Sequence, residues 1–166
     1  MTQQVLKTVV SESDTRKGIT DETRIADALT GVLGDSLVLF VKTQGYHWNV
    51  TGPLFQPIHE MTEEQYRDLF EAIDVIAERV RALGKVAPMS MTDMISHTRL
   101  NEEDTLRSAQ GMIEQLVSDH ESLVRRLRAT AALAAEANDG ATEDLMNARM
   151  NAHEKAIWML RSVAGQ

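Results

Sequence analysis

The chain has 166 residues, a formal net charge of −8, no cysteine, three prolines, nine glycines and few aromatics. That length supports one domain with a real core, and the composition favours an all-helical bundle over a sandwich or barrel. Disulfides and thiolate metal sites are excluded. The acidic balance argues against an affinity for nucleic acid spread over the whole surface and suits a protein that handles cations.

In chain order, residues 1–19 lack periodicity and carry Lys7, Arg16 and Lys17 against Glu12 and Asp14. They are expected to form a mobile arm ahead of a bundle domain spanning 20–166. The start, MTQQVLKTVV, lacks a charged leader followed by an apolar block, and no apolar run reaches the roughly 18 residues of a membrane span, so a cytoplasmic location is expected.

From Thr20 the pattern is helical. Ile25, Leu29, Val32, Leu33, Leu37 and Phe40 recur at three- and four-residue spacing, Thr20 or Asp21 is placed to cap, and the helix should end near Trp48, before the NVTGP turn. The Asn49-Val50-Thr51 sequon within that turn is treated as chance, since no secretory signal accompanies it. A second helix is predicted from Pro57 to Leu83, with Gly84 as its stop. A long connection containing Pro88 and one short helix follows. Asn101 is expected to cap a third long helix with Glu102, Glu103 and Asp104 in its first turn and a stripe from Leu106 through Ile113, Leu116, His120 and Leu123 to Leu127. The fourth should run from Ala141 to Val163, striped by Leu145, Ala148, Ala152, Ala156, Met159 and Val163.

The second helix carries the chemistry. With His59 at zero and about 100° per residue, Glu63, Phe70, Asp74 and Glu78 all fall between about 20° and 100°. The apolar set Met61, Gln65, Leu69, Ile73, Ile76, Val80 and Leu83 centres roughly 145° away. The polar stripe therefore faces outward. Imidazoles and carboxylates suit iron, manganese or zinc, but the pairs His59/Glu63 and Asp74/Glu78 are separated by about 22 Å of helix. No single ion bridges that distance. A two-fold axis crossing the middle of the helix would set one pair against the other pair of a second copy, making two identical sites, with His47 completing the first half-site and Tyr66 and Phe70 in contact at the axis. The bland alternative is a solvated acidic face. An intrasubunit di-iron bundle in its usual form is excluded, because no histidine has a glutamate three residues before it.

These residues resemble a known family. His47-Trp48-Asn49-Val50, Gly52-Pro53, His59-Glu60 and Asp74-x-x-x-Glu78 are similar to the Dps proteins, ferritin-like miniature iron stores, over about residues 20–163, including the Trp158 region. The resemblance implies a ferritin-like four-helix bundle with a short extra helix. It also implies a ferroxidase centre shared across a two-fold, with His47, His59 and Glu63 from one subunit and Asp74 and Glu78 from its mate. Glu63 stands where many relatives have Asp. Further implications are a shell of twelve subunits, iron as the metal with no organic cofactor, oxidation of Fe(II) preferentially by hydrogen peroxide, and a stored ferric mineral. Asp139, Glu143 and Asp144 match the region lining the family's three-fold pores, and Trp48 and Tyr66 are neighbours able to intercept oxidising equivalents. A nucleoid-binding structural role is the alternative. The arm is only weakly basic and the C-terminus, RSVAGQ, stops soon after the last helix, so DNA binding is expected to be weak or absent. His120, on a core stripe, reads as a buried histidine rather than a ligand.

Overall fold

The computed structural model describes residues 16–103 and 105–165, and among them there are five helices and no strand. These are α1 (Glu22–Asn49), α2 (Phe55–Ala82), α3 (Met91–Ser96), α4 (Ala109–Glu136) and α5 (Gly140–Val163). The short turn at 50–54 folds α2 back along α1, and residues 137–139 fold α5 back along α4, so the bundle is two antiparallel hairpins packed together chiefly through α1 and α4. The crossover between hairpins carries α3 against α1. Ile25, Leu29, Leu33, Leu39, Ile58, Leu69, Ile76, Ile113, Leu116, Leu123 and Leu160 form one buried core. No described helix is long and apolar enough to cross a membrane.

Several element ends depart from expectation. Asp21 occupies the cap position of α1 with φ +58°, but its side chain makes no capping bond. α2 begins at Phe55, which puts Pro57 third in the helix, still within the turn whose N–H groups have no intrahelical partner. At the other end Gly84 takes φ +81°, with Gly84 N–H on the Arg81 carbonyl and Lys85 N–H on the Val80 carbonyl, the paired bonds of a Schellman stop.

The largest correction is at α4. Asn101 does not cap it; Ser108 does, its hydroxyl accepting from Gly111 N–H at 3.1 Å, and Leu106, expected in the core, is 78 % exposed. Glu103 is drawn instead toward Tyr46, Thr105 and Arg107, which holds 101–103 and 105–107 out of the helix. The expected first-turn position of Asp104, like the expected mobility of residues 1–15, lies outside the described residues. In α5 the buried face is Thr142, Met146, His153, Ala156 and Leu160, and Ala148 of the predicted stripe is exposed.

Among the described residues, three of the cross-element ion pairs have a buried carboxylate. Lys42 Nζ meets Asp119 at 2.6 Å with both side chains almost fully buried, Arg126 holds Asp35 at 2.8 Å, and Arg79 holds Asp139 at 2.5 Å. Asp35 also accepts from Thr98 Oγ1 and Arg99 N–H, which ties the segment after α3 to α1.

Candidate metal centre on the outer face of the first hairpin

The turn after α1 brings His47, in that helix's last turn, against His59, in the second turn of α2. Their rings stack with centroids 3.8 Å apart and planes 16° from parallel. Each ring bonds to the other residue's main chain: His47 Nδ1 lies 2.8 Å from the His59 carbonyl and His59 Nδ1 lies 2.9 Å from the His47 carbonyl. A carbonyl only accepts, so both Nδ1 atoms carry the hydrogen. In the neutral form of each ring Nε2 is then the lone pair, the state in which imidazole binds a metal ion. The His47 carbonyl is available because it lies among the last four of its helix, which have no intrahelical donor.

Aromatic groups fix the pair from either side. Phe55 stacks on His59 at 5.0 Å and Tyr66 meets His47 edge-on at 5.3 Å. His47 is buried and His59 half-buried. One turn beyond His59, Glu63 points along the same stripe. Its Oε1 accepts two bonds from Arg67, from Nε at 3.1 Å and from the terminal nitrogen at 2.6 Å. The Arg67 bonds hold the Glu63 carboxyl below the usual carboxylate range. Arg67 was not singled out from the sequence, although its i+4 position relative to Glu63 is the available signal.

Asp74 and Glu78 lie on the same continuous helix and are exposed. Fifteen residues of unbroken helix keep Asp74 about 22 Å from His59. Among the described residues, no three His, Asp or Glu side chains of one chain come together to hold a metal ion. The face between the two pairs is apolar and open. Phe70 is 66 % exposed, and Phe40 packs on both Tyr66 and Phe70 with centroids 6.3 and 6.0 Å away. Trp48, Phe55 and Val75 are exposed on the same hairpin.

The three residues matched to a pore divide. Asp139 is 1 % exposed and committed elsewhere: it caps α5 through Thr142 N–H at 3.0 Å, accepts from the Thr142 hydroxyl, and pairs with Arg79. Burial pushes its carboxyl up, but the Arg79 and Thr142 bonds outweigh burial and hold it below its ordinary value. It is thus a cap and tether within the chain. Glu143 is half-buried and Asp144 exposed.

Comparison with known proteins matches this arrangement to a family. The ferritin-like domain matches residues 26–166. A low temperature-induced protein of Nostoc sp. is 44 % identical over 154 residues, covering 90 % of this chain and 86 % of that one. The DNA protection during starvation protein of Brevibacillus brevis is 34 % identical over 138 residues, covering 83 % and 93 %. The crystal structure of a Dps protein from Vibrio cholerae, described as a member of a broad superfamily of ferritin-like diiron-carboxylate proteins, superposes with a TM-score of 0.81 at 30 % identity, covering 85 % of this chain and 89 % of that one. The fold and the matches define a ferritin-like protein. The chain belongs to the Dps family, and with it to a class associated with iron storage and DNA protection.

Proposed function

We propose that this chain is an iron-storing ferroxidase whose centres form only between subunits. The observation that carries the reading is the reciprocal His47–His59 pair, which presents two Nε2 lone pairs on an outward face. On that face a second acidic pair, Asp74 and Glu78, stands too far along the same helix to help within one chain. A two-fold partner brings its Asp74 and Glu78 to His47, His59 and Glu63, and the exposed Phe70, Val75 and Trp48 supply the apolar area that such an interface buries.

Fe(II) is the substrate. Neutral imidazoles accept it without giving up a proton, and the carboxylates favour the harder ferric product. Hydrogen peroxide is the preferred oxidant in this reading: taking one electron from each of two Fe(II) ions and two protons, its O–O bond breaks to give two waters and no hydroxyl radical. Tyr66, edge-on to His47, and the exposed Trp48 are placed to intercept stray oxidising equivalents. Ferric product is stored in a twelve-subunit cytoplasmic shell, with Glu143 and Asp144 near its entry pores. DNA binding at physiological salt is weak or absent.

The test is stopped-flow Fe(II) oxidation with peroxide, together with spin trapping of hydroxyl radical. Wild-type protein is expected to oxidise Fe(II) quickly and suppress the radical. The triple variant His47→Ala/His59→Ala/Asp74→Ala should lose at least about 100-fold in initial rate, the upper end of what changes in outer-shell partners alone cost at metal sites. Unchanged oxidation in that variant sinks the site assignment.

A further inference from the structure

The chain holds two tyrosines, Tyr46 on α1 and Tyr66 on α2, and their surroundings differ. Tyr66 is half-buried, and the Arg67 guanidinium lies over its ring at 5.8 Å from the centroid. A guanidinium donates hydrogen bonds and cannot take up a proton. Tyr46 is 4 % exposed, and its hydroxyl donates to Glu103 Oε2 at 2.6 Å, within the range of O–H···O⁻ bonds. That bond crosses the fold, from the last turn of α1 to the segment ahead of α4.

Glu103 is held as an acceptor. Thr105 gives its Oε1 a backbone N–H at 3.2 Å and a hydroxyl at 2.9 Å, and Arg107 joins Tyr46 on Oε2. The bonds from Tyr46 and Arg107 outweigh burial and bring the Glu103 carboxyl down to about 2, so it is ionised at neutral pH. Its side chain is 12 % exposed. Removing one electron from a phenol turns the hydroxyl into a strong acid, and the positive ring that results is costly to hold in a buried place. Passing the proton to a carboxylate already in contact removes that cost and leaves a neutral phenoxyl radical. An electron can tunnel through the protein, but a proton needs a partner at hydrogen-bond distance. Tyr46 has that partner, whereas the group over the Tyr66 ring is a guanidinium.

We propose that Tyr46 and Glu103 form a buried radical sink, where one-electron oxidising equivalents that reach the chain come to rest. A one-electron oxidant of the radical class takes the electron and leaves as its anion. The Tyr46 O–H bond breaks, its proton bonds to Glu103 Oε2, and the phenoxyl stays in the core, screened from solutes within a single chain. Arg107 and Thr105 are positioning residues that act through Glu103. Tyr46 directly precedes His47, so the sink adjoins the outer face. A supply of oxidant from that face belongs to the ferroxidase reading; the resting place of the radical does not.

The test is pulse radiolysis of the iron-free, full-length protein with azide radical, following indole and phenoxyl radicals by their separate absorptions and by EPR of frozen samples. With no iron present, the result is independent of the outer centre. Wild type is expected to end with its radical on a phenoxyl, formed more slowly in heavy water than in ordinary water. Tyr46→Phe, which keeps the ring, should lose most of the phenoxyl, and Tyr66→Phe should keep it. Glu103→Gln retains the shape and an acceptor oxygen but cannot hold the proton, so its phenoxyl should form more slowly. If that variant disturbs the fold, the heavy-water comparison on wild type reads the same proton step. A phenoxyl that survives Tyr46→Phe, one that vanishes in Tyr66→Phe, a radical that stays on indole, or equal rates in the two solvents overturns the proposal.

Discussion

Two histidine pairs join helices in this chain, and they are wired in opposite ways. His47 and His59 give their Nδ1 hydrogens to main-chain carbonyls, which leaves two Nε2 lone pairs on an outer face flanked by exposed aromatics. His120 and His153 spend their Nδ1 atoms on each other and sit almost wholly buried between α4 and α5. The first pair is tethered to backbone, so its geometry survives changes in neighbouring side chains. The second is held by its partner, by its packing and by the Arg149 guanidinium 3.5 Å from His153 Nε2, so its state depends on side chains around it. What each Nδ1 bonds to, rather than the presence of two histidines, distinguishes the pair on the outer hairpin from the pair in the interior.

The contrast can be broken in graded ways. The largest effect on folding is expected beside the inner pair, at the ion pair between Lys42 and Asp119, whose side chains are 3 % and 6 % exposed. Asp119→Ala leaves a buried ammonium and should cost about 3–5 kcal/mol in denaturant unfolding, whereas Lys42→Met/Asp119→Leu should recover most of the loss. His153→Ala removes a buried ring as well as a hydrogen bond and should cost about 2–4 kcal/mol. His47→Ala removes a ring that is 8 % exposed against 2 % for His153, and it should cost less in the same measurement while removing most of the Fe(II) oxidation rate. An equal loss of stability at His47 and His153 would erase the distinction drawn here.

Acid should separate the pairs next. The His120 imidazole is lowered by burial to about 4 in the folded chain, against an ordinary value near 6.5. The unfolded chain therefore binds more protons between those values, and the stability held above pH 6.5 is lost as pH falls toward 4. Melting followed across that range should show the decline, and His120→Leu should flatten it. The smallest effect is at Glu63. Arg67→Ala removes the guanidinium that holds this carboxyl low, at a site where both side chains are substantially exposed. Unfolding should be unchanged and the Fe(II) oxidation rate altered by less than about threefold near neutral pH. A larger fall would make Arg67 a positioning residue for the centre.

Much of the frame was legible in the sequence because long helices announce themselves by period. Both ends of α1 and α2 fall within two residues of the expected positions, and Gly84 stops α2 through the left-handed backbone that a Schellman motif needs. The start of α4 was not legible. Asn101 and Ser108 are both competent caps, and the choice between them rests on Tyr46 and Arg107 capturing Glu103, contacts made across the fold. The burial of α5 was misjudged because a stripe drawn from apolar residues omits Thr142 and His153, which the core accepts once Asp139 and His120 satisfy them. At the outer site, spacing brought forward His47, His59, Asp74 and Glu78 and placed the last three on one side of α2. The tautomers, the grip of Arg67 on Glu63 and the diversion of Asp139 to Arg79 depend on side-chain choices that periodicity does not encode.

The central claim is that each centre draws its histidines from one chain and its distal carboxylates from another. Co-refolding an equal mixture of His47→Ala/His59→Ala chains with Asp74→Asn/Glu78→Gln chains tests it most directly, by the rate of Fe(II) oxidation. Each variant alone should be nearly inactive. In the mixture, half of the dimers pair one chain of each kind, and each of those has one intact centre, so about a quarter of the wild-type rate should return. No recovery above the separate variants, with mixed assemblies confirmed by mass, would contradict the shared centre.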